Sequence, residues 1–211
     1  MAPQRIMFTR HAEKPYDADE ATVAEAAEAK KDHKTDYLGV TSKGNENKDS
    51  LIVRGWQRAG ALVRFFSPNR ENSQYPMIPP DTIFACAYGS DGGGSKRPQE
   101  TVKPLSDFLM NAKFVTTIYR DDHKGLIDAV MACEGTVLVA WEHKAIVSDI
   151  LPALPVSNAS DLPTHWSGKR FDVVLRFDRA AGATDFSFTE LFPCLMPGDS
   201  DKPLKSDPTD E

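Results

Sequence analysis

The sequence predicts an α/β chain folded as a three-layer α/β/α sandwich with a mostly parallel central sheet. Two observations predict it. Short apolar runs alternate with stretches of helical spacing, the pattern of strands joined by crossover helices. The strongest run, Thr136 to Trp141, is almost uninterrupted in its apolar character, as in a strand covered on both faces. With 211 residues, 40% of them hydrophobic, the chain is long enough for one sizeable core and short for two.

In order along the chain, Arg5 to Thr9 reads as a first buried strand, closed by Arg10-His11-Ala12-Glu13-Lys14-Pro15. Residues 17–36, rich in Ala, Glu, Asp and Lys, read as a weakly packing surface helix, and 39–49 as a loop. Helical spacing runs from Trp56 to Phe66, and Pro76, Pro79 and Pro80 mark a connector. Residues 81–87 form a second apolar run. A glycine-rich loop, 89–96, leads into a helix near Pro98 with Thr101, Val102, Leu105, Phe108 and Leu109 turned inward. Strands are expected at 114–119, 136–141, 171–177 and 186–192, and helices at 125–132 and 145–151. No internal repeat is present. One domain spans 1–196; the apolar periodicity ends there, and 197–211 reads as a flexible tail.

Charge and cysteine usage narrow the function classes. Against 25 Lys and Arg stand 31 Asp and Glu, a net charge of -6, so the basic excess of a nucleic-acid binder is missing. Three widely spaced cysteines, Cys86, Cys133 and Cys194, contain no Cys-x-x-Cys pair and read as free thiols in a reducing compartment. No membrane-length apolar window and no signal-peptide core appear, so the expectation is a cytoplasmic chain without membrane or nucleic-acid partners. No cluster of metal ligands is evident, and neither metal nor cofactor is expected. The loop Gly89 to Lys96 is not a phosphate-binding P-loop, because its lysine follows serine and Pro98 stands two residues further on.

Chemistry gathers at strand ends. His11 follows the first strand, His143 follows the strongest later one, Arg10 adjoins His11, and Arg97 ends the loop after another strand. In open α/β sheets such ends share one crevice. Four motifs occur in order: Arg10-His11-Ala12-Glu13, Leu51-x3-Gly55-x3-Ala59, Arg97-x3-Thr101, and the run Val137 to Trp141 followed by Glu142-His143. On these motifs the chain resembles the histidine phosphatase superfamily, the phosphoglycerate-mutase-like fold, over roughly residues 5 to 177. Ala12 stands where that family usually has glycine, and Lys144 where glycine commonly follows the second histidine. The segments 17–48 and 89–96 depart most from the family's pattern.

The resemblance implies a phosphatase that hydrolyses phosphomonoesters, or phosphoprotein or phosphohistidine, and releases inorganic phosphate. His11 would attack phosphorus and become phosphohistidine, while Arg10, Arg97 and a protonated His143 would bind the phosphoryl oxygens. The chemistry suits those side chains: a neutral imidazole is a competent nucleophile, and forked guanidinium donors match the equatorial oxygens of a transferring phosphoryl group. The proton donor to the leaving group is Glu142 in this reading, with Glu13 and Asp121 as alternatives. Two other functions stay open at this point. One is a phosphoglycerate-type mutase, against which the absence of a Glu-Arg motif counts. The other is a phosphate-binding module without turnover.

Overall fold

A computed structural model describes residues 3–15, 38–66, 78–89 and 94–204. The surface helix expected at 17–36 and half of the glycine loop, residues 90–93, lie outside these residues. Six strands form one sheet in the order β3-β2-β4-β1-β5-β6, where β1 is Arg5–Arg10, β2 Thr82–Ala85, β3 Lys113–Val115, β4 Thr136–Trp141, β5 Val174–Asp178 and β6 Ser187–Leu191. The first four of that order run parallel; β5 and β6 add an antiparallel edge.

Three helices cross between the parallel strands: α1 (Val53–Phe65), α2 (Arg97–Leu109) and α3 (His123–Met131). From β1 to β2 to β3 the chain steps in one direction, and it turns back to place β4 between β2 and β1. Right-handed crossovers put helices of one stepping direction on one face and those of the reverse direction on the other. The core follows that rule. Met7, Leu138 and Ala140 pack with Leu62 and Phe65 of α1 and Val102 and Leu105 of α2. Ile6, Phe8, Val137, Val139 and Trp141 pack on the opposite face with Leu126 and Val130 of α3. The period-two alternation along β1 and β4 thus splits each strand between two apolar layers. This is the α/β/α sandwich that the apolar runs predict.

Boundaries shift by a few residues, and two expectations change. Phe108 is 53% exposed rather than inward-facing. The buried stripe of α2 runs through Pro98, Thr101, Val102 and Leu105 to Leu109, and Phe108 falls at its margin. The stretch from residue 197 is not a loose tail as far as Leu204. Leu204 is 7% exposed in the core, and its N–H donates to Glu190 Oε2 at 2.9 Å. Polar bonds hold this stretch, so no hydrophobic period announces it. The thiols of Cys86, Cys133 and Cys194 are unpaired.

The α1 helix approaches the segment after β1 closely at Gly55. A Cβ built there would meet the Glu13 carbonyl oxygen at 2.5 Å and its amide nitrogen at 3.1 Å. Gly60, on the exposed side of the same helix, has open space around it. Gly55→Ala is therefore expected to destabilise the protein by about 1–3 kcal/mol through overpacking. Gly60→Ala should stabilise it by up to about 1 kcal/mol through helix propensity. Paired urea titrations check both signs.

Candidate active site

The pairing of β1 with β4 sets Arg10 opposite Trp141, and the ladder continues one step further, where the His11 N–H donates to the Trp141 carbonyl at 3.3 Å. The chain leaves β1 toward α1 on one face. It leaves β4 through α4 (His143–Ala145) and a π-helical turn, Ile146–Ile150, toward the other. Adjacent strands with diverging exits open a crevice at their carboxyl ends. His11 and His143 meet there, ring centroids 6.5 Å apart and planes at 84°.

His11 is 7% exposed, and its ring sits in a fixed tautomer. Its Nδ1–H donates to the Ala12 carbonyl at 2.8 Å; a carbonyl only accepts, so in the neutral ring Nε2 keeps the lone pair. Ala12 is itself pinned, because its N–H donates to Thr101 Oγ1 at 2.8 Å, and Thr101 donates in turn to the Arg97 carbonyl at 2.7 Å. The i, i+4 spacing of Arg97 and Thr101 thereby ties the second arginine to the His11 segment. Burial holds the His11 pKa well below 6.5; the Arg10 charge adds to this, Arg97 and His143 act in the same direction, and the Ala12 bond opposes them.

Arg10 lies 1% exposed in a cradle of backbone carbonyls. Its Nη1 donates to Ser167, Gly168 and Arg170 at 2.9, 3.0 and 3.1 Å, and its guanidinium carbon stands 4.0 Å from the centroid of Phe171. Phe171 also faces His11, at 6.0 Å between centroids. Arg97 opens α2, with Nη2 donating to the Lys48 carbonyl at 2.7 Å. All four side chains named from the sequence thus act on one locality. The charges of Arg10 and Arg97 bear on His11, and that of Arg10 bears on His143 as well.

The carboxylates are placed otherwise than the sequence suggests. Glu142 caps α4, accepting from the Lys144 N–H at 2.9 Å and the Ala145 N–H at 2.7 Å. Its Oε1 also stands 2.8 Å from His143 Nδ1, a contact that becomes an ion pair only when the ring is protonated. Burial raises the Glu142 pKa, but the His143 contact and the two backbone donors outweigh it and bring it down from 4.5 to about 2. The backbone donors act whatever the state of the ring, so Glu142 is a carboxylate at neutral pH and has no proton to give. Glu13 is 7% exposed and forks onto Arg58, with bonds of 3.1, 3.0 and 2.8 Å. Asp121 is solvated and kept ionised by Arg120 at 2.9 Å, through the hydrogen bond first and the charge second.

His143 also departs from the protonated state expected of it. Burial lowers its pKa below 6.5, and the charges of Arg10 and Lys144 lower it further against the pull of Glu142. Sequence reasoning missed Phe171, the Ser167–Arg170 carbonyls and Arg58. Glu142 carried a legible signal, a carboxylate directly before a short helix.

No family model matches the chain, and no curated protein matches it. Among solved structures, the chain is similar to a candidate phosphohistidine phosphatase, SixA from Agrobacterium tumefaciens, at 16% identity and a TM-score of 0.40, covering 85% of this chain and 94% of that one. A likeness this loose does not fix what the chain does. Among the described residues no helix is long and apolar enough to cross a membrane.

These shifts have a sign in acid. Groups whose folded pKa is depressed stabilise the fold above their unfolded pKa and lose that contribution as pH falls through the folded value. His11 and His143 therefore withdraw stability below pH 6.5, and Glu142 withdraws it between 4.5 and about 2. Glu142→Gln should flatten the second fall and deepen the first, because His143 loses the carboxylate that holds its pKa up, as read by urea unfolding at a series of pH values.

Proposed function

We propose that this chain is a metal-independent phosphatase that works through a phosphohistidine intermediate at His11, on a phosphorylated small molecule or phosphoprotein. The observation that carries the reading is the bond from His11 Nδ1–H to the Ala12 carbonyl, which leaves the lone pair on Nε2 of a buried ring whose centroid lies 6.5 Å from that of His143. A nucleophilic imidazole needs that arrangement. In the first step Nε2 forms a bond to phosphorus as the bond to the leaving group breaks in line. Arg10, Arg97 and His143 neutralise charge on the equatorial oxygens; a bound dianion raises the pKa of His143 and restores its proton. Water then cleaves the P–N bond, inorganic phosphate leaves, and His11 is regenerated.

The proton for the leaving group is the element that the sequence reading and the geometry divide on. Glu142 is held ionised by its capping bonds, Glu13 is locked to Arg58, and Asp121 faces solvent. We therefore assign Glu142 to holding α4 and His143 in place. The reading favours substrates whose leaving group needs no proton from the protein, an aryl phosphate or a phosphohistidine whose imidazole has taken its proton from solvent at the distal ring nitrogen, over alkyl esters. A mutase reading has no observation in its favour.

The experiment is hydrolysis of a series of aryl phosphates in excess chelator, by wild type and His11→Ala. Wild-type activity should survive chelation and fall steeply as the leaving group becomes more basic. His11→Ala should lose at least ~10³-fold in kcat/KM, and rapid acid-labile, base-stable labelling by a ³²P substrate should disappear with it. Equal rates for the two proteins would overturn the assignment. Tight vanadate binding without turnover on the whole series would favour a binding module. The acid limb of kcat/KM should lie below pH 6.5, because His11 stays neutral there.

A further inference from the structure

Helix α1 presents Arg54 and Arg58, one turn apart, toward the segment that carries His11. Both reach Glu13. Arg58 forks onto it at 2.8–3.1 Å, and Arg54 Nε stands 3.3 Å away. The same two arginines reach in the other direction to a turn near the end of the described chain. Arg58 Nη2 donates to Asp199 Oδ1 at 2.8 Å and its Nη1 to Oδ2 at 3.1 Å, while Arg54 Nη2 donates to the Pro197 carbonyl at 2.6 Å. Asp199 also shapes that turn, accepting from the N–H groups of Leu195 at 2.9 Å and Met196 at 3.0 Å.

The side chains of Arg58, Glu13 and Asp199 are only 5%, 9% and 3% exposed. One buried cation between two buried carboxylates is a costly way to stabilise a fold, since apolar residues of like volume would do as well or better. What the arrangement supplies is direction: the guanidinium fork fixes both carboxylates in one plane. Glu13 is two residues from His11, and between them stands Ala12, whose carbonyl sets the His11 tautomer.

The turn also reaches the other arm of the site. The Ser200 N–H donates to Asp172 Oδ2 at 2.6 Å, Asp172 Oδ1 accepts from Arg170 Nε at 2.7 Å, and the Arg170 carbonyl is one of the three that hold Arg10. A small cavity of about 10 Å³ is lined by residues that include Thr9, Arg58, Asp172 and Leu195.

We infer that residues 195–200 form a strap that positions the site, and that Arg58 and Asp199 are positioning residues which hold His11 in line by fixing Glu13 from behind. The inference rests on the phosphatase reading for its kinetic consequence, but not for its structural one. A nucleophile displaced by even 1 Å loses about 10²-fold in rate without losing the substrate's other contacts. A strap that merely stabilised the fold would change the unfolding midpoint and leave the folded enzyme's constants alone.

The test uses the full chain with Asp199→Asn, which keeps volume and removes the charge facing Arg58, and Arg58→Lys, which keeps charge and removes the fork. For an aryl phosphate, kcat should fall about tenfold or more while KM stays within about threefold. Asp199→Glu should recover part of the loss. The His11 ring, followed by NMR, should titrate higher than in wild type, because water reaches it once the segment loosens; Arg10, Arg97 and His143 face it unchanged. Should Asp199→Asn fail to fold, Arg54→Gln releases only the outer ties to Pro197 and Glu13 and should move the same readouts less. Folded variants with wild-type kcat and wild-type His11 titration would overturn the inference. A wild-type protein inactive on every ester would instead overturn the phosphatase reading, and the His11 titration would still decide the role of the strap.

Discussion

Everything at this site depends on the in-step parallel pairing of β1 with β4. With Arg10 opposite Trp141, the residues that follow each strand emerge side by side, and two imidazoles distant in sequence come to share one crevice. A slip of one residue would turn His11 away and move the apolar set of β1 to the wrong layer. With both faces of both strands apolar, the fit of particular side chains rather than polar alternation selects the register: Met7 and Leu138 belong to one apolar layer, Phe8 and Val139 to the other.

Around that pairing the chain concentrates positive charge and removes it from water. Arg10 and Arg58 are both nearly inaccessible, and each is handled differently. Arg58 has two carboxylates, which outweigh the burial that opposes its charge and raise its pKa. Arg10 is held by carbonyl dipoles and lies against an aromatic face, which fix the orientation of its guanidinium. Its field reaches His11 and His143 and favours their neutral forms. A field of this sign favours negative over positive charge beside it.

Much of this was legible in the chain itself, for physical reasons that can be named. The strands declare themselves because burial on both faces demands continuous apolar character, as in Val137 to Trp141. His11 and His143 stand out by following such runs, and the spacing of Arg97 and Thr101 matches one helical turn. The polar tertiary ties were not legible. Arg58 reads as a solvated helix residue until Asp199 is brought to it from 141 positions away. Phe171 reads as a strand residue until it is found against Arg10. Glu142 was assigned a proton because it adjoins His143, yet its neighbours on the C-terminal side, the free N–H groups of a starting helix, decide its charge. The final stretch through Leu204 carries no period because single hydrogen bonds, rather than an apolar stripe, keep it in place.

The sheet order also sets a timetable for biosynthesis. β1 leaves the ribosome well before its two neighbours, β4 and β5, since Arg5 awaits Thr136 and Thr9 awaits Val174. In the interval Ile6, Met7 and Phe8 have no partner strand on either side. Non-local pairing of this kind is slow to form and leaves apolar segments exposed to intermolecular association. The nascent chain is therefore most in need of chaperone cover between the emergence of β1 and that of β5, and the His11–His143 pair comes together only after β4 has emerged.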